Sequence, residues 1–173
     1  MNILWLNEIK RDSIELVGKK AFELSELYIK GFSIPQGFVI TTEAFREFLD
    51  FSGLTTTILD LTKNLDIEDN KKLINIVEKI QDLILRAPIP EYLRNEILRE
   101  YGNLNVDPDT FNHAIRAINM IRAGRESPYV VLRPSVMAGL KPETFLDVKG
   151  VSSLLDSIKK CWASAYNKNL IYQ

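Results

Sequence analysis

The sequence predicts an α/β (α+β) fold: a small mixed sheet covered by helices. Strand-like apolar segments occur at both ends of the chain, as LWLNEI and GFVITT near the start and as YVVLRP and TFLDV near the end. Between them, residues 53–125 carry apolar side chains at steps of three and four residues, which is typical of helices. With 173 residues the chain fits one domain, 1–173, in which these helices cover the sheet.

The composition is that of an ordinary globular protein, with 46% hydrophobic and 26% charged residues. The net charge of -1, from 22 basic and 23 acidic residues, gives no reason to expect a nucleic-acid partner. No apolar segment approaches the roughly 20 residues of a membrane span, and MNILWLNEIKRD lacks the pattern of a signal peptide. We therefore expect a cytoplasmic protein without a membrane partner.

The first zone of the chain alternates between strand and helix signals. The helix expected over residues 19–30 ends at Gly31, and a strand in FSIPQGFVITT leads to Thr42, the expected N-cap of the helix TEAFREFLDF. The apolar face expected for the first of these helices consists of Ala21, Phe22, Leu24, Leu27 and Tyr28.

Three helices are expected in the middle zone. One ends before Pro88, the next has Pro90 in its first turn, and the third runs from Asp107 or Asp109 to Gly124. A last helix begins at Val151. The core positions expected on the helix that ends before Pro88 are Leu73, Ile76, Val77, Ile80, Leu83 and Ile84. Those expected on the helix after Pro90 are Leu93, Ile97, Leu98 and Tyr101. Those expected on the last helix are Leu154, Leu155, Ile158, Trp162 and Tyr166.

Two segments carry cations at turns between elements, a common way to hold a phosphate chain. They are LVGKKAFELSEL, with Lys20, and YVVLRPSVMAGL, with Arg133. Each cation also has a structural interpretation that involves no ligand. Lys20 fits a solvated helix residue, and Arg133 could pair with Asp147 or Glu143 across a hairpin.

Three other side chains that could react or bind a ligand are interpreted as structural. His113 lies in a helical pattern, and Cys161 and Trp162 are expected to pack in the core. A single cysteine and a single histidine cannot form an internal disulfide or a Cys/His zinc site. Neither catalytic residues nor metal ligands are predicted.

In their order along the chain, VGKKAFELSEL, GFSIPQGFVITTEAFREFL, VVLRPS and ETFLDVKGVSSLLDSIKK resemble a known family. The similarity is to the amino-terminal, ATP-grasp-type region of phosphoenolpyruvate synthase and pyruvate phosphate dikinase. The resemblance implies the fold of the first lobe of that nucleotide-binding domain. It also implies ATP and Mg²⁺ as cofactors, or none in the isolated chain, and nucleotide contacts by Gly18, Lys20, Arg133 and Ser135.

The sequence departs from the family pattern in two places. Lys19 replaces the second glycine of the usual Val-Gly-Gly-Lys-Ala, where glycine permits positive φ, so we expect strain or an altered turn there. Pro134 replaces a hydroxyl residue, and the loop from Ser135 to Ala138 is shortened by several residues. These changes predict a weakened backbone contact with phosphate, with the cations retained.

Three functions from different classes remain open. The first is an ATP-binding half-domain that needs a partner chain to take part in making phosphoenolpyruvate from pyruvate and ATP. The second is a catalytically inactive paralogue that acts as a binding or regulatory module. The third is a self-contained phosphotransferase or hydrolase. Whether this chain is an enzyme stays open, because the family's phosphohistidine and pyruvate-binding domains are not in it. A half-domain exposes apolar surface, which predicts a homo-oligomer or a partner chain.

Overall fold

A computed structural model describes residues 1–63, 70–104, 127–135 and 143–167. A 3-10 turn, Arg11–Ser13, precedes the first helix. The strands and α-helices of these ranges are β1 Ile3–Trp5, α1 Ile14–Val17, α2 Lys19–Ile29, β2 Phe38–Ile40, α3 Thr42–Phe51, α4 Leu54–Thr62, α5 Asn70–Arg86, α6 Glu91–Asn103, β3 Val130–Leu132, β4 Phe145–Val148 and α7 Val151–Ser164. No described helix has the length and apolar character needed to cross a membrane.

The described strands form two antiparallel pairs. β1 pairs with β2 so that Ile3 lies opposite Ile40, and β3 pairs with β4 so that Leu132 lies opposite Phe145. The register of the second pair shifts by one residue along β4, where Asp147 has a positive φ of 53°. The predicted α/β fold, a small amount of sheet under helical cover, is confirmed.

The β1–β2 pair separates two apolar clusters, because alternate residues of a strand point to opposite faces. Ile3 belongs to the larger cluster, which Phe38 and Ile40 also touch. Leu4 belongs to a smaller cluster with Leu6, Ile9, Val17 and Ala21, against which Val39 packs. The strand pair is therefore covered on both faces, and the smaller cluster holds α1 and α2 against it.

The larger cluster joins distant parts of the chain through aromatic contacts. The fully buried ring of Phe48 in α3 lies 4.7 Å from that of Trp162 in α7, measured between centroids. Phe45 lies 5.5 Å from the same indole and 6.3 Å from Tyr166. The predicted core role of Trp162 is confirmed.

The predicted apolar faces of α5, α6 and α7 are also confirmed. Their buried positions are Leu73, Val77, Ile80, Ile84, Leu93, Ile97, Tyr101, Leu154, Ile158 and Trp162, and the remaining predicted positions are partly buried. Of these, Tyr166 lies beyond the last residue of α7 and not on the helix as predicted. The prediction for α2 is partly wrong. Leu24 and Leu27 are each 41% exposed, while the buried positions of that helix are Ala21 and Ser25. Ser25 satisfies its hydroxyl by donating to the carbonyl of Phe22 at 2.7 Å, so a small polar residue occupies the buried face.

Several boundaries differ from those predicted. Thr41 caps α3 in place of Thr42, since its hydroxyl accepts the N–H of Ala44 at 3.4 Å and donates to the carbonyl of Met1 at 2.8 Å. Pro90 precedes the first residue of α6 as its N-cap. The stop at Gly31 is confirmed by its positive φ of 82° just after α2. The helix expected between Asp107 and Gly124 lies outside the described residues.

Tyr101 connects α6 to the second strand pair. Its buried hydroxyl donates to the carbonyl of Pro128 at 2.6 Å and accepts the N–H of Gly150 at 3.0 Å. Pro128 precedes β3 and Gly150 follows β4, and Val130 lies opposite Val148, so one side chain fixes this end of the β3–β4 pair against α6.

Candidate functional site

The candidate site begins at Gly18, where the chain passes from α1 to α2 in a single residue. Gly18 has φ 78° and ψ 159°, a combination that is essentially restricted to glycine. Its N–H donates to the carbonyl of Ile14 at 2.8 Å, and its own carbonyl accepts the N–H of Phe22 at 3.1 Å. The N-terminus of α2 is therefore fixed immediately after a sharp change of direction.

Ser135, which follows β3, packs directly on this turn. Its hydroxyl accepts the N–H of Ala21 at 3.0 Å across 114 residues of sequence. A Cβ placed on Gly18 would lie only 2.1 Å from the Ser135 carbonyl oxygen and 2.7 Å from its hydroxyl oxygen. Two predicted site residues, Gly18 and Ser135, are thus in contact, and only glycine allows that approach.

The two predicted cations belong to these same segments. Lys20 is the residue before Ala21, Arg133 lies two residues before Ser135, and both side chains are exposed. Neither cation forms an ion pair with any residue that the structure describes, so the alternative pairing of Arg133 with Asp147 or Glu143 is not found there. The structure thus places two exposed cations on the two segments that the hydrogen bond between Ser135 and Ala21 joins.

The expected strain at Lys19 is wrong. Lys19 is the first residue of α2, and Asp147 is the sole described non-glycine residue with positive φ. Gly18 already carries the positive φ that the turn requires, so the next position is helical and accepts an ordinary side chain. The Lys19 ammonium lies 3.6 Å from the Glu23 carboxylate on the exposed side of the helix.

The N-terminus of α2 has the electrostatics of an anion site. In the described parts of the chain, no acceptor is present for the backbone N–H groups of Lys19 and Lys20. Such N–H groups carry partial positive charge at the start of a helix, and the Lys20 ammonium adds a full charge beside them. The arrangement offers hydrogen-bond donors and positive charge, which suits the oxygens of a phosphate.

The departures from the family pattern at Pro134 and in the loop after Ser135 have different outcomes. Pro134, between the exposed Arg133 and Ser135, is buried. The shortened loop predicted between Ser135 and Ala138 lies outside the described residues, as does His113. Over the described ranges, no group of three or more His, Cys, Asp or Glu side chains could hold a metal ion.

Cys161 lies on α7 and is half-buried. Burial, with a smaller contribution from the charge of Glu143, raises the pKa of its thiol to about 12. A thiol of that pKa stays protonated at neutral pH and is a poor nucleophile. Because Cys161 is half-buried, its predicted packing in the core stays a prediction.

Comparison with known protein families identifies the class of domain. Residues 14–173 match the family described as pyruvate phosphate dikinase, AMP/ATP-binding domain. Because the match covers nearly the whole chain, the chain belongs to this family. The family and the amino-terminal region predicted from the sequence are confirmed.

Individual relatives are phosphoenolpyruvate synthases. The chain is 28% identical over 178 residues to a probable phosphoenolpyruvate synthase of Methanothermobacter thermautotrophicus, covering 98% of this chain and 24% of the relative. It is 30% identical to the phosphoenolpyruvate synthase of Escherichia coli K12, covering 98% of this chain and 21% of that protein. A probable phosphoenolpyruvate synthase of Archaeoglobus fulgidus is 32% identical, with 99% and 22% covered. The chain thus spans about a fifth to a quarter of the length of these relatives.

Proposed function

We propose that this chain binds the phosphates of ATP at the N-terminus of α2, as part of a phosphoenolpyruvate synthase-like phosphotransferase. The observation that carries the proposal is the hydrogen bond between Ser135 and the N–H of Ala21. It joins the segments that contain Lys20 and Arg133, which are far apart in sequence. Membership of a family described as an AMP/ATP-binding domain supports ATP as the anion.

Each residue has a distinct role in this proposal. The side chains of Lys20 and Arg133 neutralise phosphate oxygens through charge-assisted hydrogen bonds. Gly18 lets the chain turn so that the first N–H groups of α2 face the same anion. ATP supplies the transferable phosphoryl group. Mg²⁺ is bound mainly by the nucleotide itself and by groups beyond these residues, since no cluster of metal ligands occurs in the part of the chain that the structure describes.

The complete reaction requires more than this domain. We propose that the chain provides one lobe of an ATP-grasp-type kinase acting in the cytoplasm, and that a partner chain or a second copy completes the site. The alternative of an inactive module rested in part on Lys19, and the helical conformation of Lys19 removes that argument.

Calorimetric titration with magnesium-ATP tests the proposal. Saturable binding is expected in the wild type, and Lys20→Ala and Arg133→Ala should each weaken it by about 10- to 100-fold, the worth of a hydrogen bond to a charged group. Lys30→Ala, at the opposite end of α2, and Arg94→Ala, at an exposed position of α6, are matched controls that should bind like the wild type. Absence of binding at millimolar ATP, or equal losses in the controls, would overturn the proposal.

A further inference from the structure

We propose that Ser135 is a positioning residue: it caps α2 from a distance and thereby fixes the two phosphate-binding segments relative to each other. This inference rests on the proposed function. It differs from the sequence-based prediction, in which Ser135 contacts the nucleotide directly.

The first step of the argument is the missing cap of α2. An N-cap side chain normally accepts the N–H of the second or third helical residue. Gly18 occupies the N-cap position and has no side chain to do so. The hydroxyl of Ser135 takes that role, because Ala21 is the third residue of α2 and its N–H donates to Ser135 at 3.0 Å.

The second step is the closeness of the backbones. The absence of a Cβ on Gly18 lets the carbonyl and hydroxyl oxygens of Ser135 approach the turn, where an added methyl would lie 2.1 Å and 2.7 Å from them. Contacts on both Gly18 and Ala21 restrain the segment after β3 along the first turn of α2. Lys20 lies between these two contact points in sequence.

The third step concerns the backbone N–H donors that remain available to the ligand. With Ala21 bonded to Ser135, the unpaired N–H groups at this helix start, within the described ranges, are those of Lys19 and Lys20. Arg133 lies two residues before Ser135, in the segment that this contact holds against the start of α2. Loss of the Ser135 hydroxyl should therefore disturb the placement of both cations without removing either charge.

The first measurement is amide hydrogen exchange of Ala21 in the protein without nucleotide. Ser135→Ala should speed this exchange about fivefold, as expected for loss of a cap worth about 1 kcal/mol, and Ser135→Thr should restore protection. Ser164→Ala is the control, since that hydroxyl donates to the carbonyl of Cys161 within α7 and has no other partner among the described residues. Unchanged exchange of Ala21 in Ser135→Ala would overturn the inference. If Ser135→Ala fails to fold, Ser135→Cys provides the same comparison with a weak acceptor.

The second measurement is a double-mutant cycle on magnesium-ATP binding. If Ser135 positions Lys20, then Lys20→Ala should weaken binding much less in the Ser135→Ala background than in the wild type. Fully additive losses would mean that Ser135 contacts the nucleotide independently, which would also overturn the inference. Failure of the proposed function is distinguishable: the wild type would then not bind ATP, while the exchange of Ala21 would still decide whether Ser135 caps α2.

Discussion

At the scale of single residues, Gly18 decides the geometry of the candidate site. The sequence predicted a glycine turn followed by a lysine, but it placed the residue that needs a positive φ at position 19. The structure places positive φ at Gly18 and makes Lys19 helical. The contact with Ser135 could not be predicted, because a hydrogen bond across 114 residues leaves no periodic signal in the sequence.

Gly18→Ala should therefore be strongly destabilising. The methyl group would force a conformation that only glycine adopts and would displace Ser135, so we expect a loss of about 3 kcal/mol in the free energy of unfolding. Gly102→Ala is the matched control: an added methyl there, in α6, meets nothing within 4 Å, and it should stabilise the protein by about 0.5–1 kcal/mol. Urea unfolding of both variants measures the difference, and similar values for the two would refute the expectation.

Cys161 should be unreactive in the folded protein. With a pKa of about 12 its thiol is protonated at pH 8, so alkylation by iodoacetamide should be slow until urea unfolds the chain. The thiol of the unfolded chain ionises near its ordinary value of about 8.5. Rising pH above that value therefore favours the unfolded state, and stability is lost progressively up to about pH 12.

The control for this thiol is Cys161→Ala. Its free energy of unfolding should fall less between pH 8 and about pH 10 than that of the wild type, because the substitution removes the titrating group. Rapid alkylation of the folded wild type at pH 8 would show that the thiol is not kept protonated by burial.

At the scale of elements, periodicity predicted the helices well and their ends less well. The faces of α5, α6 and α7 follow the spacing of large apolar residues, which is why they were found. α2 differs because one of its buried positions is Ser25, which a hydrophobic pattern does not reveal. The N-cap of α3 shifted from Thr42 to Thr41 because two adjacent threonines give the same local signal, and the long-range bond to Met1 selects between them.

Tyr101→Phe should loosen the attachment of the β3–β4 pair to α6. The substitution keeps the buried ring but leaves the Pro128 carbonyl and the Gly150 N–H without their partner, at a cost of about 1–3 kcal/mol. Tyr92→Phe is the control, since the Tyr92 hydroxyl is exposed and bonds to Glu47 at the surface; its cost should stay below about 0.5 kcal/mol. Denaturant unfolding compares the two, and an equally small effect would contradict the structural role of Tyr101.

At the scale of the whole molecule, the aromatic contacts between α3 and α7 connect the two ends of the chain. Phe48 and Trp162 come from segments more than a hundred residues apart, yet their rings lie 4.7 Å from each other. The sequence predicted a helix at each position and a core role for Trp162, but it gave no information on their contact. The family resemblance predicted the fold class and the segments of the site, whereas the packing that joins those segments required the structure.

The prediction of one domain over residues 1–173 can be tested by cooperativity. Trp5 lies in β1 and Trp162 in α7, so each tryptophan reports on a different end of the chain. In Trp162→Phe and Trp5→Phe, the fluorescence of the remaining indole and the helical circular dichroism should give coincident urea transitions within each variant. Separate transitions would show that the two ends unfold as independent units.

The short strand pairs have a consequence for the behaviour of the protein at high concentration. Each described strand has a single hydrogen-bonded neighbour and is only three or four residues long. Val131 and Leu146 are 56% and 66% exposed on the second pair, where the irregular register at Asp147 interrupts β4. Short and interrupted edges are poor templates for further strands. The protein can thus expose apolar residues on this pair without offering a regular edge for the growth of fibrils.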